Sequence, residues 1–435
     1  MNTINKKDTK TLILSALGGT LEFYDFIIFA IFTPYFTHHF FPAELDESIK
    51  LLNTYGAFAA GYLARPLGGV VMAHFGDKFG RKNMFLLSII LMVVPTFIFA
   101  IMPTYEQIGY FAIAILLLIR LVQGVAIGGE LPAAWAFIYE HSKENNKALF
   151  LGVLTSGVCG GITLGALSAL LLQLNYTEQE ISDYAYRIPF LVGGIFGLIS
   201  IYLRKFLQET PVFLQMKAEK KLNDFPIKAV LKDYKQEIIL SMLLTFVLTA
   251  CVVVLLIMMP NFTKKILEIK ATLNTSIQII ASACMMLGLV VCGKLADTFK
   301  PSLVCIIFAC LLGISVASYF YSLYILKDLI ITCVFYFLAA FFAGIVNFTS
   351  LFMCKLYKAN VRYTGIGFSY NLAYAIAGFL TPIIVVKSHE HFNIGSGYYM
   401  IFISCLAIFC AFYFDRLNKR IWNSYFKFFT KKPLS

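Results

Sequence analysis

Long apolar stretches separated by short polar segments alternate along almost the whole chain. Twelve of these stretches are long enough to cross a bilayer, because a membrane-spanning helix needs roughly 20 mostly apolar residues. They lie near residues 12–38, 50–75, 82–102, 107–138, 148–173, 188–207, 237–260, 272–294, 301–323, 328–354, 363–386 and 397–415. The pattern predicts an all-α membrane protein with twelve transmembrane helices.

One long polar segment, residues 208–236, divides the twelve stretches into six and six. An aspartate follows the second stretch and another follows the eighth, at Asp77 and Asp297, about half the chain apart. Duplicated halves of this kind are common among membrane transporters. We therefore predict two pseudo-symmetric six-helix bundles, an N-terminal one over residues 1–207 and a C-terminal one with a short cytoplasmic tail over 237–435, joined by a cytoplasmic loop.

The composition excludes a soluble globular protein, since 59% of the residues are hydrophobic and only 14% are charged, against about a quarter charged in soluble domains. The formal net charge of +12 would suit a nucleic-acid partner, but most Lys and Arg fall in segments that a cytoplasmic N-terminus would place inside. That bias follows the positive-inside rule. It predicts a multi-pass protein of the bacterial inner membrane, with both termini cytoplasmic, the lipid bilayer as a partner and no nucleic acid.

Charged residues inside the predicted spans are the first candidates for function, because an ionisable group at bilayer depth costs on the order of 3 kcal/mol. Glu22 and Asp25 lie three residues apart in the first span, and so on one helical face. Arg120 lies near mid-depth in the fourth span, where it could meet Asp25. We predict proton coupling through Asp25 as acceptor, Glu22 as second carboxylate or substrate contact, and Arg120 as switch or substrate anchor. The alternative is a static ion network between helices.

Other polar residues in the spans are candidates for substrate contact. Gln123 and Glu130 share nearly one face of the fourth span, and Arg65 lies in the second. The C-terminal half offers Asn347, Asn371, Tyr370 and Tyr374. Three acids and two arginines in one cavity are near charge balance, which slightly favours a zwitterion over a polyanion. Snorkelling, packing and an interfacial belt are alternative roles for such residues, and the sequence leaves them open.

Several short motifs carry a resemblance to a known family. They are residues 21–26 (LEFYDF), 64–69 (ARPLGG), 76–82 (GDKFGRK), 120–130 (RLVQGVAIGGE), 207–213 (LQETPVF) and 362–371 (RYTGIGFSYN). The GDKFGRK segment resembles the loop signature of the major facilitator superfamily. The whole set resembles the metabolite:proton symporter family, whose members carry osmolytes such as proline and betaine, di- and tricarboxylates, or shikimate.

This resemblance implies the major facilitator fold and a cytoplasmic gate. The gate would consist of Asp77, Arg81 and Lys82 with Glu140 at the inner end of the fourth span; the alternative is positive-inside anchoring alone. The loop at Asp297 lacks the second glycine and the arginine of the signature. That departure argues against a symmetric pair of gates.

We therefore predict a secondary active transporter, functional as a monomer, that imports a small polar metabolite together with protons by alternating access. Proline, betaine and organic acids are the expected substrates. An uncoupled facilitator and a non-transporting membrane sensor are the alternatives. The sequence contains no phosphate-binding glycine loop, metal-ligand spacing or nucleophile with its base, so we expect no enzyme, no cofactor and no metal ion.

Overall fold

The computed structural model describes residues 6–204, 209–219, 226–391 and 395–429, and within that part every regular element is a helix. The long helices of the first half are α1 (Lys6–Phe36), α2 (Glu47–Phe79), α3 (Arg81–Ile101), α4 (Tyr110–His141), α5 (Lys147–Asn175) and α6 (Arg187–Arg204). Those of the second half are α7 (Lys235–Leu267), α8 (Ala271–Thr298), α9 (Pro301–Leu326), α10 (Leu329–Leu356), α11 (Arg362–His391) and α12 (Gly395–Phe429). Two short helices, Pro211–Ala218 and Pro226–Asp233, lie in the connecting segment.

Ten of these described helices are long and apolar enough by themselves to cross a membrane. Helix α6 reaches that length together with the preceding segment Glu178–Ala185, at a bend of 50°. Helix α2 has 33 residues, but it is less apolar because it carries charged residues such as Lys50, Arg65 and Asp77. Two of these residues, Arg65 and Asp77, bond side chains of the second half.

Glycines allow the helices to approach at backbone distance. A Cβ atom at Gly161 of α5 would lie 2.4 Å from the carbonyl oxygen of Thr20 on α1, and one at Gly124 of α4 would lie 2.0 Å from that of Gly61 on α2. Small residues serve this purpose in membrane proteins, where packing replaces the hydrophobic effect between helices. The glycines of α5 therefore act as packing positions within the first half.

The helices form two six-helix bundles, and two helix pairs join them. In the first bundle α1 packs on α5 and α6, while α4 packs on α2 and α3; in the second, α11 packs on α7 and α9 on α12. Helix α2 packs on α11, and α5 packs on α8. We call the side at which α2 ends and α3 begins the inner side, because the sequence predicts that it faces the cytoplasm, and the opposite side the outer side.

Candidate transport site

Asp25 lies inside the first bundle, between α1, α3 and α6. Its side chain is buried, and its Oδ2 atom accepts a hydrogen bond from the hydroxyl of Thr96 on α3. Its Oδ1 atom is buried and has no hydrogen-bond partner among the described residues. A Cβ atom at Gly193 of α6 would lie only 2.8 Å from that oxygen, so the glycine leaves room beside it. One oxygen of the carboxyl group is therefore held by a hydrogen bond, and the other, which we call the open oxygen, has none among the described residues.

Asp25 is connected to Arg120 through two neutral side chains. Gln123 on α4 donates from Nε2 to the Thr96 hydroxyl over 2.8 Å, and its Oε1 accepts from Arg120 Nη1 over 2.7 Å. We call Asp25, Thr96, Gln123 and Arg120 the relay. The sequence predicts that Asp25 and Arg120 could meet; in the structure they are linked through Thr96 and Gln123.

A cluster of phenylalanine rings covers the relay towards the outer side. The guanidinium carbon of Arg120 lies 4.2 Å from the ring centre of Phe29, one helical turn beyond Asp25 on α1. Phe29 packs in turn on Phe36 and Phe99, with ring centres 4.9 and 5.5 Å apart. Because this cluster excludes water, electrostatic interactions within the relay are weakly screened.

Arg65 lies at the contact between α2 and α11, where tyrosine rings surround its guanidinium group. Its guanidinium carbon lies 3.9 Å from the ring centre of Tyr374, 5.4 Å from Tyr370 and 5.7 Å from Tyr62. Its Nε donates to Oδ1 of Asn371 over 3.3 Å. We call Arg65 with these three tyrosines the cage. Three of the predicted substrate contacts, Tyr370, Tyr374 and Asn371, thus contact a fourth, Arg65.

Asn371 fixes α11 against two helices of the other half. Its Nδ2 donates to the carbonyl oxygen of Gly128 on α4 over 2.6 Å and to that of Gly367 over 2.7 Å. A Cβ atom at Gly69 of α2 would lie 2.2 Å from this nitrogen. Any larger residue at Gly69 would therefore separate α2 from α11.

At the inner side, two predicted gate residues bind the start of α11. Asp77 Oδ2 accepts from both the backbone N–H and the hydroxyl of Thr364, each over 2.8 Å. Glu140 Oε1 forms an ion pair with Arg362 Nη1 over 2.5 Å. A carboxylate at a helix N-terminus is stabilised by unpaired N–H groups and by the helix dipole. Sequence analysis missed Thr364 and Arg362 as gate partners, although both lie in the 362–371 motif.

A third predicted gate residue, Lys82, bonds the connecting segment through its backbone. The backbone N–H of Lys82 donates to Oε2 of Glu209 over 3.2 Å, which ties the start of α3 to the connecting segment. The side chain of Arg81 lies outside the described residues, as does that of Glu22.

Asp297 repeats the arrangement of Asp77 in the second half. Its two oxygens accept from the backbone N–H groups of Ala148 and Leu149, at the start of α5, over 2.9 and 2.8 Å. Asn347 on α10 donates to the carbonyl oxygen of Ala148 over 3.0 Å. Each aspartate therefore caps a helix of the opposite half, although the Asp297 loop departs from the signature; whether the two contacts act as a symmetric pair of gates stays a prediction. The missing glycine and arginine are not needed for a carboxylate to cap a helix.

Two further candidates, Asn347 and Glu130, lie further inward than the relay. Asn347 is buried at the inner contact just described, and Glu130 is buried on α4 further inward than Gln123; substrate contact by either stays a prediction. A cavity of about 720 Å³ lies at the outer side between α2 and α4, and none of the predicted site residues lines it. No group of three or more metal-ligating side chains occurs in the described part of the chain.

Twelve long helices in two joined bundles, with charged side chains such as Asp25, Arg65 and Arg120 buried inside them, have the architecture of a membrane transporter. The profile of the Major Facilitator Superfamily matches residues 15–382, and the chain belongs to that superfamily. This membership confirms the predicted fold and the prediction of a transporter that is not an enzyme.

Named relatives agree with this assignment. The chain is 27% identical over 410 residues to a putative proline/betaine transporter of Staphylococcus aureus strain COL, with 92% of this chain and 87% of that protein covered. It is 28% identical over 419 residues to the glycine betaine/proline/ectoine/pipecolic acid transporter OusA of Dickeya dadantii strain 3937, with 92% and 81% covered. Among solved structures, the proton:xylose symporter XylE of E. coli matches with a TM-score of 0.79, 14% identity and coverage of 94% and 96%; this likeness shows the fold alone.

Proposed function

We propose that the protein is a proton-coupled symporter that imports a small polar metabolite, such as proline, betaine or an organic acid, across the bacterial cytoplasmic membrane. Both termini face the cytoplasm, in keeping with the positive-inside bias. The observation that carries the proposal is the relay, in which a buried carboxyl group with one open oxygen is linked to a buried arginine. Intramembrane ionisable residues of this kind mark proton pathways by default.

Thr96 gives the relay two states without moving its oxygen atom. A hydroxyl group has one hydrogen to donate and can accept two hydrogen bonds. With Asp25 ionised, Thr96 donates to the carboxylate and accepts from Gln123. With Asp25 protonated, the carboxyl O–H donates to Thr96, whose hydrogen turns to the carbonyl oxygen of Met92, 3.0 Å away. Proton uptake thus reverses one hydrogen bond and keeps the others.

Alternating access acts through the two inner contacts. Asp77 and Glu140 bind the start of α11, and Asp297 caps the start of α5. The inner side stays closed as long as these carboxylates keep their contacts with the opposite half. Opening of that side breaks these bonds. Proton and substrate binding therefore have to change the balance between the closed and the open arrangement, because a ligand shifts an equilibrium only through its different affinity for the two states.

The test is uptake into proteoliposomes with a controlled proton gradient and radiolabelled proline, trimethylglycine and succinate. We expect at least one substrate to accumulate against its gradient and an uncoupler to abolish that accumulation. Asp25→Asn, a nearly isosteric change, should abolish accumulation and leave substrate exchange at a rate close to that of the unmodified protein.

Full uphill uptake by the Asp25→Asn variant would remove Asp25 from the mechanism. Uptake that an uncoupler does not change would identify the alternative, a facilitator without proton coupling. Asp46→Asn serves as the matched control, because it makes the same chemical change just before the start of α2 and outside the relay.

A further inference from the structure

The cavity of about 720 Å³ at the outer side occupies the space between α2 and α4. The two helices touch at backbone distance further inward, where a Cβ atom at Gly124 would lie 2.0 Å from the carbonyl oxygen of Gly61. Outward of that contact, Ala57 of α2 and Leu116 of α4 line facing walls, and the loop after α1 closes the end with Phe41. The lining is apolar apart from Asn53 and Tyr110, so it suits an apolar occupant.

The cavity opens towards the hydrocarbon of the bilayer. On α2, Gly56 lines the cavity, and Leu63 and Leu67 follow it on the same helical face with 74% and 61% of their surface exposed. On α4, Leu118 is 61% exposed beside the lining residue Leu117. Lipid tails are as apolar as leucine, so these exposed side chains are solvated by lipid. A chain from the outer leaflet therefore has a lateral route into the cavity.

The outer end of the cavity is aromatic and acidic. The rings of Tyr110 and Tyr105 meet edge to face, with centres 5.5 Å apart. The hydrogen bond with Tyr110 and the nearby charge of Glu44 both raise the pKa of Tyr105, which places this carboxylate beside the tyrosine pair. Glu106 follows Tyr105 in the chain and is exposed. Tyrosines mark the level of the lipid head groups, so two carboxylates lie where a head group would be.

We propose that this cavity binds one acyl chain of an outer-leaflet phospholipid whose head group carries an ammonium group. The chain fills the space between α2 and α4, and the head group lies at the level of Tyr105 and Tyr110 with its ammonium towards Glu44 and Glu106. The site is separate from the transported substrate and from proton coupling, and it adds a lipid ligand to the proposed function.

Charge decides between the possible head groups. Glu44, Asp46 and Glu106 are exposed around the mouth of the cavity, whereas Lys50 on the same side is only 6% exposed. A head group with a net negative charge would meet these carboxylates with like charge. An ammonium-bearing head group is neutral overall and pairs its cation with them. Exposed ion pairs are weak one by one, so we expect a preference of about threefold between the two head groups.

The floor of the cavity is continuous with the phenylalanine cluster that covers the relay. Ala57 and Leu116 belong to the same buried hydrophobic group as Phe29, Phe36 and Phe99. An acyl chain in the cavity packs against this group from the outer side, and burial of its methylene groups stabilises the arrangement. The bound lipid therefore supports the state in which the relay is covered.

Gly56 provides a variant that fills the cavity without a clash. A Cβ atom there meets no heavy atom of the described residues within 4 Å, so Gly56→Phe places a ring in the space of the acyl chain. Gly378 on α11 is open in the same way and lies outside the lining. Gly378→Phe therefore makes the same chemical change as a matched control.

The test is native mass spectrometry of the purified full-length protein after equilibration with equal amounts of phosphatidylethanolamine and phosphatidylglycerol that carry the same chains. We expect one phosphatidylethanolamine to be retained about threefold more than phosphatidylglycerol. Gly56→Phe should lower this retention about tenfold, because burial of several methylene groups is lost, and Gly378→Phe should stay within about twofold. Undiminished retention by Gly56→Phe, or equal retention of the two lipids by the unmodified protein, would overturn the proposal.

Removal of the two carboxylates separates the head group from the chain. The double variant Glu44→Gln with Glu106→Gln should retain the two lipids equally while keeping a bound lipid. A preference that survives in this variant would contradict the assigned head-group contact. Added phosphatidylethanolamine should also raise the melting temperature of the unmodified protein and of Gly378→Phe by a few degrees, and that of Gly56→Phe less, because a ligand of the folded state stabilises it. Equal rises in the three proteins would place the stabilising lipid elsewhere and overturn the site.

Discussion

The two helix pairs that join the halves share an aspartate cap and a close backbone contact at glycines, and they differ in the side chains beside these features. Both pairs have an aspartate that caps the first turn of the opposite helix, Asp77 at α11 and Asp297 at α5. Beside the cap, the α5–α8 contact consists of close-packed backbone and small hydroxyl groups, such as Thr163 bonded to Ser282. The α2–α11 contact instead contains the guanidinium of Arg65 and its tyrosines.

The difference separates mechanical from chemical parts of the interface. A Cβ atom at Gly293 of α8 would lie 2.5 Å from the carbonyl oxygen of Ala148, so α5 and α8 meet at backbone distance there, and no charged side chain lies beside the described contact of Thr163 with Ser282. The α2–α11 pair contains a buried charge, which is costly unless a partner or a ligand satisfies it. We infer that α5–α8 supports the movement of the halves and that α2–α11 recognises the substrate.

The largest expected effect tests this division directly. Arg65→Ala should lower the rate of substrate uptake roughly 100-fold, because it removes the buried cation that contacts the three tyrosine rings and Asn371, and truncation of a buried charged group costs about 2–5 kcal/mol. Thr163→Val removes a hydroxyl group from the α5–α8 contact with little change in side-chain volume. Its uptake rate should stay within about threefold of that of the unmodified protein, since a neutral hydrogen bond contributes about 1 kcal/mol. Initial uptake rates in proteoliposomes, normalised to reconstituted protein, measure both.

Comparable losses of uptake in Arg65→Ala and Thr163→Val would contradict the assignment of different roles to the two contacts. Arg65→Lys is the informative second variant, because it keeps the charge and removes the planar group. We expect it to recover only part of the uptake, and full recovery would show that charge alone matters at the cage.

Removal of the aspartate caps should have a smaller effect than Arg65→Ala, and the effect should be the same at the two contacts. Asp77→Asn and Asp297→Asn each remove the charge at a helix N-terminus, worth about 1 kcal/mol, and should raise the population open at the inner side roughly fivefold. The rate at which a maleimide labels the buried thiol of Cys354 reports that opening, with Cys354→Ser as the background. An effect at only one aspartate would show that the pseudo-symmetry is structural and not functional.

The sequence was sufficient for the fold and for the buried charges, but not for their partners. Twelve apolar stretches and the superfamily motifs predict the architecture, because span length and charge bias follow directly from the bilayer. Thr96 was missed, since a threonine that can bond its own helix backbone is unremarkable in a span. Tyr62 of the cage was missed because aromatic residues in spans usually pack. The pairing of Arg65 with α11 depends on how two distant helices meet, which no local pattern contains.

The smallest expected effect concerns Thr96, the member of the relay that joins Asp25 to Gln123. Thr96→Val keeps the shape and removes the hydrogen bond donated to Asp25. Thr96 bonds both forms of Asp25, but a hydrogen bond to the ionised carboxylate is stronger than one between neutral groups. Its loss should therefore let the variant take up a proton more readily and move the acid limb of the uptake profile about one pH unit higher, the equivalent of about 1.4 kcal/mol. Thr96→Ser keeps the hydroxyl and should follow the unmodified profile. Among the described residues, Thr163 and Ser282 of the α5–α8 contact have no hydrogen bond to the relay, so Thr163→Val should leave the profile unchanged. A shift there equal to that of Thr96→Val would mean that the change in pH dependence is not specific to the relay.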